Sequence, residues 1–201
     1  MQRIFYWLVA ALVAALAAYL FFARASDGNI VIQPPIDGVS SIRFSVVSFD
    51  PPLQFRGRAQ VGGGTPPDWV QAQLPAMYGN ISEDKYSEYF SKEYIQRYGK
   101  YFGSGGIAVT ETTIFYGIKL AINREEYVIA TSRLTLMSTL PKDMSTLLAD
   151  LYKKIDGRWL AFPPESLPIF TYIPWQNPDE LKKIILTGRA TVGPDRKLKA
   201  L

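Results

Sequence analysis

Residues 4–22, IFYWLVAALVAALAAYLFF, are nineteen consecutive positions without a charge. As a helix rising 1.5 Å per residue, such a run measures about 28 Å, close to the hydrocarbon thickness of a bilayer. It splits the chain into a membrane segment and a body. The competing reading is a secretory signal, because Ala23-Arg24-Ala25 is an A-x-A pattern that would permit cleavage before Ser26. Signal-peptide apolar cores run roughly 7 to 15 residues, so the longer run favours a retained anchor. Arg3 in a short amino-terminal tail is held on the cytoplasmic side, which leaves the body outside the cytoplasm. Ala10, Ala14 and Ala18 recur every fourth residue and offer a small-residue face for a second helix.

Composition narrows the chemistry. The chain contains no histidine and no cysteine. Ser-His-Asp and Cys-His catalysis, zinc sites of the common kind and disulfides are thereby removed, and no cofactor or metal is implied. Lys and Arg number 22 against 18 Asp and Glu, and Arg3 and Arg24 flank the apolar run. The body therefore lacks the concentrated basic stripe of a nucleic-acid binder.

Along the body, residues 26–65 carry Pro34-Pro35, Pro51-Pro52 and Gly62-Gly63-Gly64. The alternation of Ile42, Phe44 and Val46 marks a strand, but paired prolines are expected only at sheet edges, so this stretch reads as an extended arm with short strands. From Asp68 the pattern is helical: a short helix interrupted at Pro75, then a second starting at Ser82 as N-cap. In the second helix Tyr86, Phe90, Tyr94, Tyr98 and Phe102 fall at intervals of four, an aromatic stripe expected to pack as core. From residue 107 the period becomes two. Ile114, Tyr116, Ile118, Leu120 and Ile122 are expected to share a face, and the chain is expected to return through a four-residue loop, 123–126, that would set Tyr116 opposite Arg133.

Asp156-Gly157 is a two-residue turn signal, because both central positions of a type I′ turn need positive φ. It pairs Ile155 with Arg158, Lys154 with Trp159 and Tyr152 with Ala161. One face then carries Leu151, Ile155, Leu160 and Phe162, expected against the helices. The other carries Asp150, Tyr152, Lys154 and Trp159, expected to face away from them, with Lys154 over the Trp159 ring. At the carboxy-terminal end Asn177, Pro178, Glu180 and Gly188 delimit one more helix, followed by a loose basic tail.

The order of a helical segment, LPAMYGNISEDKYSEYFSKEYIQRYGKYF, then long antiparallel strands and a final KKIDGRWLAF resembles the nuclear transport factor 2-like (cystatin-like) superfamily over residues 66–165. The resemblance implies α+β architecture, with helices in the concave side of a bent antiparallel sheet. Small-molecule enzymes of that superfamily commonly place a His-Asp pair in the cone, which this chain lacks. The single anchor before the domain is similar to the inner-membrane assembly factor of type IV secretion. The predicted organisation is a transmembrane signal anchor over 1–25, an arm over 26–65, a bent-sheet domain over 66–165, and a Pro-rich segment, short helix and tail over 166–201.

Candidate chemistry is sparse. Ser82-x-x-Lys85 lacks its companion motifs, and Ser82 is sufficiently explained as a cap. Glu111, Glu125 and Glu126 are better read as solvated loop acids than as a carboxylate set. The candidate partner- or ligand-contacting residues are Trp159, Tyr152, Lys154, Tyr116 and Arg133, with no catalytic residue and no metal ligand among them. The sequence thus points to a membrane-tethered, non-catalytic extracytoplasmic interaction module, a subunit of a cell-envelope complex in a bacterial inner membrane with its carboxy-terminal domain in the periplasm. Its partners would be the bilayer, through residues 4–22, and other proteins or further copies of itself, not nucleic acid. The alternative is a tethered small-ligand binding protein or enzyme that uses the cone of the sheet. A cone filled by the aromatic stripe favours the first; a cavity with converging polar groups favours the second.

Overall fold

The computed structural model describes residues 27–78, 81–101, 109–136, 144–173 and 178–201. The run 4–22, the cleavage pattern at Ala25, and the Asn177 cap lie outside them, as does Phe102 of the stripe. Among the described residues no helix is long and apolar enough to cross a membrane.

The fold is α+β, with few helices and one large, mostly antiparallel sheet. Strands β1 (Asp27–Ile36), β2 (Val39–Arg56) and β3 (Ala59–Gly62) precede helix α1 (Asp68–Tyr78) and the short helices α2 (Tyr86–Tyr89) and α3 (Lys92–Tyr98). Strands β4 (Val109–Ile122), β5 (Glu125–Leu136), β6 (Met144–Ile155) and β7 (Arg158–Ala161) follow. The chain then passes through 3-10 turns at Pro164–Ser166 and Pro168–Tyr172 to helix α4 (Pro178–Thr187) and strands β8 (Arg189–Val192) and β9 (Leu198–Ala200). The spatial order is β7-β6-β5-β4-β2-β1-β8-β9, with β3 paired to β2. Only the β1–β8 contact is parallel among these strand pairs.

Residues 27–62 are therefore not a separate arm. β2 lies inside the sheet between β1 and β4, contrary to the expectation that paired prolines hold strands to the edge. Irregularities in the ladder accommodate them. Pro51 and Pro52 sit where the β2–β4 register shifts between Ser48 and Leu53, and Pro34 and Pro35 sit in the matching shift of β1–β2 between Val31 and Ile36. A proline at a bulge is not required to donate to the ladder.

Those shifts also move side chains between faces. Ile118, Leu120 and Ile122 of β4 join Ile42 and Phe44 in a core closed by Leu167, Ile169 and Ile173 and by Leu181, Ile184 and Ile185 of α4. Ile114 instead joins Leu53 and Phe55 in a second core under Trp69, Val70 and Leu74 of α1 and Phe90. The bulge at Phe115, between Ile114 and Tyr116, offsets the period-two alternation by one residue, so the parity shared by Ile114 and Ile118 no longer means a shared face. Both faces of the sheet are covered by the chain's own elements.

The helical region departs from a single stripe-bearing helix. Phe90 is extended (φ −123°, ψ 141°) and bridges to Ala161, so the helix is cut between α2 and α3. Ser82 makes no side-chain cap, whereas the Ser91 hydroxyl accepts from the Tyr94 N–H at 3.1 Å and restarts the helix. The aromatic contacts survive the break: Tyr86 meets Phe90 edge-on at 6.1 Å, Phe90 stacks on Tyr94 at 5.2 Å, and Tyr94 lies 4.8 Å from Tyr98. Phe90, 6% exposed, belongs to the core beneath α1, as expected. α1 itself runs without interruption through Pro75.

The tail expected to be loose is built in. β8 adds to the outer edge of β1, β9 pairs with β8, and Ala190 and Leu198 are buried beside α4. Gly188 ends α4 at φ +64° with its N–H on Ile184 O, the C-terminal stop legible in the sequence.

Candidate functional site

The final hairpin has the predicted register. Asp156 and Gly157 occupy the left-handed region at φ +49° and +79°, and Ile155, Lys154 and Tyr152 pair with Arg158, Trp159 and Ala161. Lys154 Nζ lies 5.7 Å from the Trp159 ring centroid. The expected facing is reversed, however. Leu151 packs in the α4 core, while Tyr152 and Trp159 lie on the side covered by α1–α3. The apolar row Leu151–Phe162 does find a helical cover, but it comes from the carboxy-terminal segment that the hairpin alone does not announce.

On the α1 side, cross-strand pairing assembles a polar row at one end of the sheet. Trp159 stands opposite Lys154, Lys154 reaches Glu126 on the neighbouring strand, Glu126 stands opposite Ala121, and Ala121 opposite Arg43; two pairs further along, Lys119 stands opposite Ser45. The amino-terminal end of α1, Pro67-Asp68-Trp69, overhangs this row. Between them is a cleft of about 420 Å3 lined by Arg43, Lys119, Lys154, Glu126, Trp69 and Trp159 among others. Lys154 Nζ donates to Glu126 at 3.2 Å. Arg43 and Lys119 make no ion pair among the described side chains.

Trp69 sets the cleft wall. It is 1% exposed, meets Phe49 at 6.1 Å, and lies so close to β4 that a Cβ on Gly117 would come within 2.5 Å of its Cζ2. A glycine in mid-strand marks this close approach. The Trp69 Nε1–H is buried with no acceptor among the described residues. With two indoles, three cations, and the carboxylates of Asp68 and Glu126, the cleft suits an anion with an apolar body.

The remaining sequence candidates separate. Tyr152, 1% exposed, is core rather than surface; burial and then the charge of Asp150 raise its phenol pKa. It borders a second cavity of about 220 Å3 with Tyr94, Leu148 and Asp150. Tyr116 and Arg133 do not face each other. The β4–β5 turn has two residues, Asn123 and Arg124, both left-handed (φ +51° and +70°), so Tyr116 pairs with Thr131, and the bulge at Phe115 sets Arg133 opposite Thr113. Arg133 is exposed and lies 5.4 Å from the Phe115 ring. Glu125 and Glu126 part as expected: Glu125 accepts from Lys153 at 2.7 Å and from the Tyr127 hydroxyl, contacts that lower its pKa in that order, while Glu126 faces the cleft.

Trp159 and Lys154 are thus the sequence candidates that reach the cleft, while Arg43, Lys119, Trp69 and Glu126 entered from elsewhere. A signal for Lys119 was present. In GIKLAI the apolar positions claim one face, which leaves Gly117, Lys119 and Ala121 on the other, with glycine marking a close neighbour. Nothing local announced that Trp69 would be that neighbour. No protein-family model matches the chain, and neither the curated proteins nor the solved structures compared with it yield a significant match.

Proposed function

We propose that this protein is a membrane-tethered, non-catalytic extracytoplasmic interaction module, a subunit of a bacterial cell-envelope complex anchored in the inner membrane. The observation that carries the reading is the uncharged run 4–22, joined by only four residues to Asp27, the first residue of β1. An anchor followed by a sheet-and-helix domain is a design similar to that of anchored nuclear transport factor 2-like assembly factors. The chain lacks histidine and cysteine, which removes the commonest general base and the thiolate nucleophile. A small-ligand role is the second reading, favoured by the cleft that Trp69, Trp159, Arg43 and Lys119 surround.

Trp159 separates the two. It is half-buried at the margin of the α1-side core, beside a charged rim, the setting in which aromatic anchors dominate interfaces. Crosslinking in native membranes is expected to capture a protein neighbour of the wild-type chain. Trp159→Ala is expected to reduce that yield severalfold while the melting curve stays within a few degrees of wild type. Failure to recover any protein neighbour, with retention of a small molecule on the purified chain, would replace the first reading with the second. A mature amino terminus at Ser26 would remove the anchor.

A further inference from the structure

We infer that two cations of the cleft, Arg43 and Lys119, hold the phosphate of an anionic lipid headgroup in the membrane that anchors the chain. The inference rests on the anchoring proposed above and adds a ligand to the cleft. Four residues, 23–26, separate the end of the apolar run from Asp27, and the five Cα steps from residue 22 to 27 reach at most about 18 Å. The bilayer surface is therefore held within that distance of Asp27. Asp27 pairs with Ser45, about 5 Å away between Cα atoms, and Ser45 pairs with Lys119 on the next strand, about 5 Å further. Ser45 and Lys119 line the cleft. The tether thus holds the end of the sheet that carries this wall of the cleft within reach of the headgroup layer.

The charges fit. Arg43 and Lys119 occupy diagonal positions on adjacent strands, close enough to repel, and make no ion pair among the described side chains. Lys154 is already engaged by Glu126. Asp68 is the opposing carboxylate at the rim and sits in the first turn of α1, where the helix dipole favours it. A phosphate between Arg43 and Lys119 converts their repulsion into two charge-assisted contacts. Trp159, half-buried at the rim, supplies an amphipathic ring that suits the interfacial zone.

The native chain has no cysteine, so a single introduced one reports unambiguously. Thr65→Cys, exposed beside the amino-terminal end of α1, is labelled with a fluorophore in the full-length chain. The protein is reconstituted into phosphatidylcholine vesicles with or without about one-third phosphatidylglycerol and a headgroup-attached nitroxide quencher. Stronger quenching is expected with phosphatidylglycerol. Arg43→Gln with Lys119→Gln should lower the docked-to-undocked ratio by about 25-fold, at about fivefold per cation near an anionic surface. Arg56→Gln with Arg58→Gln, exposed at the end of β2 far from Asp27, removes the same charge elsewhere and should leave docking unchanged. Quenching that ignores lipid composition, or responds equally to both double variants, overturns the inference. So does a response to free glycerol phosphate without one to phosphatidylglycerol, which would assign the cleft to a soluble anion. Release of the protein by alkaline carbonate would instead remove the anchoring, and with it the premise.

Discussion

Gly117 shows how a single residue fixes the relation between sheet and helix. Its missing Cβ is the space in which the Trp69 ring lies, so Gly117→Ala forces the indole and α1 off the sheet. The expected cost is about 1–3 kcal/mol, as for other overpacked sites, with a change in tryptophan emission as the cleft wall moves. An unchanged urea midpoint would contradict the packing described. Tyr94 makes a second residue-scale prediction. Burial, then the charges of Asp150, Tyr98 and Glu165, push its phenol up to about 12 from an unfolded value of about 10. Between those values the unfolded chain has lost the proton and the folded chain keeps it, so stability is full below pH 10 and falls as pH rises through 12. Melting temperatures measured from pH 8 to 11.5 should decline above pH 10, and Tyr94→Phe should flatten the decline. Arg124 marks a limit on reading single residues. It takes a left-handed conformation without being glycine, asparagine or aspartate, so the two-residue turn had no signature and the loop was expected to be longer.

At the scale of elements, what was legible depended on whether the signal was local. The Asp156-Gly157 hairpin, the end of α4 at Gly188 and the aromatic spacing of residues 86–98 were readable because turn chemistry and periodicity act within a few residues. The carboxy-terminal strands were not, because three- and four-residue strands carry little pattern of their own and exist by adding to an edge. Their importance is testable. Leu198→Ala should cost about 2–5 kcal/mol, the usual loss for truncating a buried leucine. Removal of residues 189–201 should cost more, since it also strips Ala190 from the core and uncovers the β1 edge. A truncated chain that melts with the full-length one would return these residues to the status of a loose tail.

The described residues form one sheet with a core on each face, and the cleft exists because distant segments meet at one end of it. A boundary at residue 65, suggested by the Pro- and Gly-rich composition before it, cuts β2 from β4 and exposes Ile118, Leu120 and Ile122. At about 1.5–3 kcal/mol for each buried aliphatic side chain, that loss is comparable with the total stability of a domain. A chain of residues 66–201 is therefore expected not to fold, while 27–201 gives a cooperative melt by circular dichroism. The sequence by itself determined the uncharged run, the exclusion of histidine and thiol chemistry, the α+β class and the hairpin register, since each depends on composition or on neighbours within a few positions. Only the tertiary structure decided which face of the hairpin met which helices and that β2 was central. It alone brought Arg43, Lys119, Trp69 and Trp159 around one cleft. A bulge reverses side-chain direction without changing composition, and strand order is set by contacts between residues too far apart in sequence for any period to record.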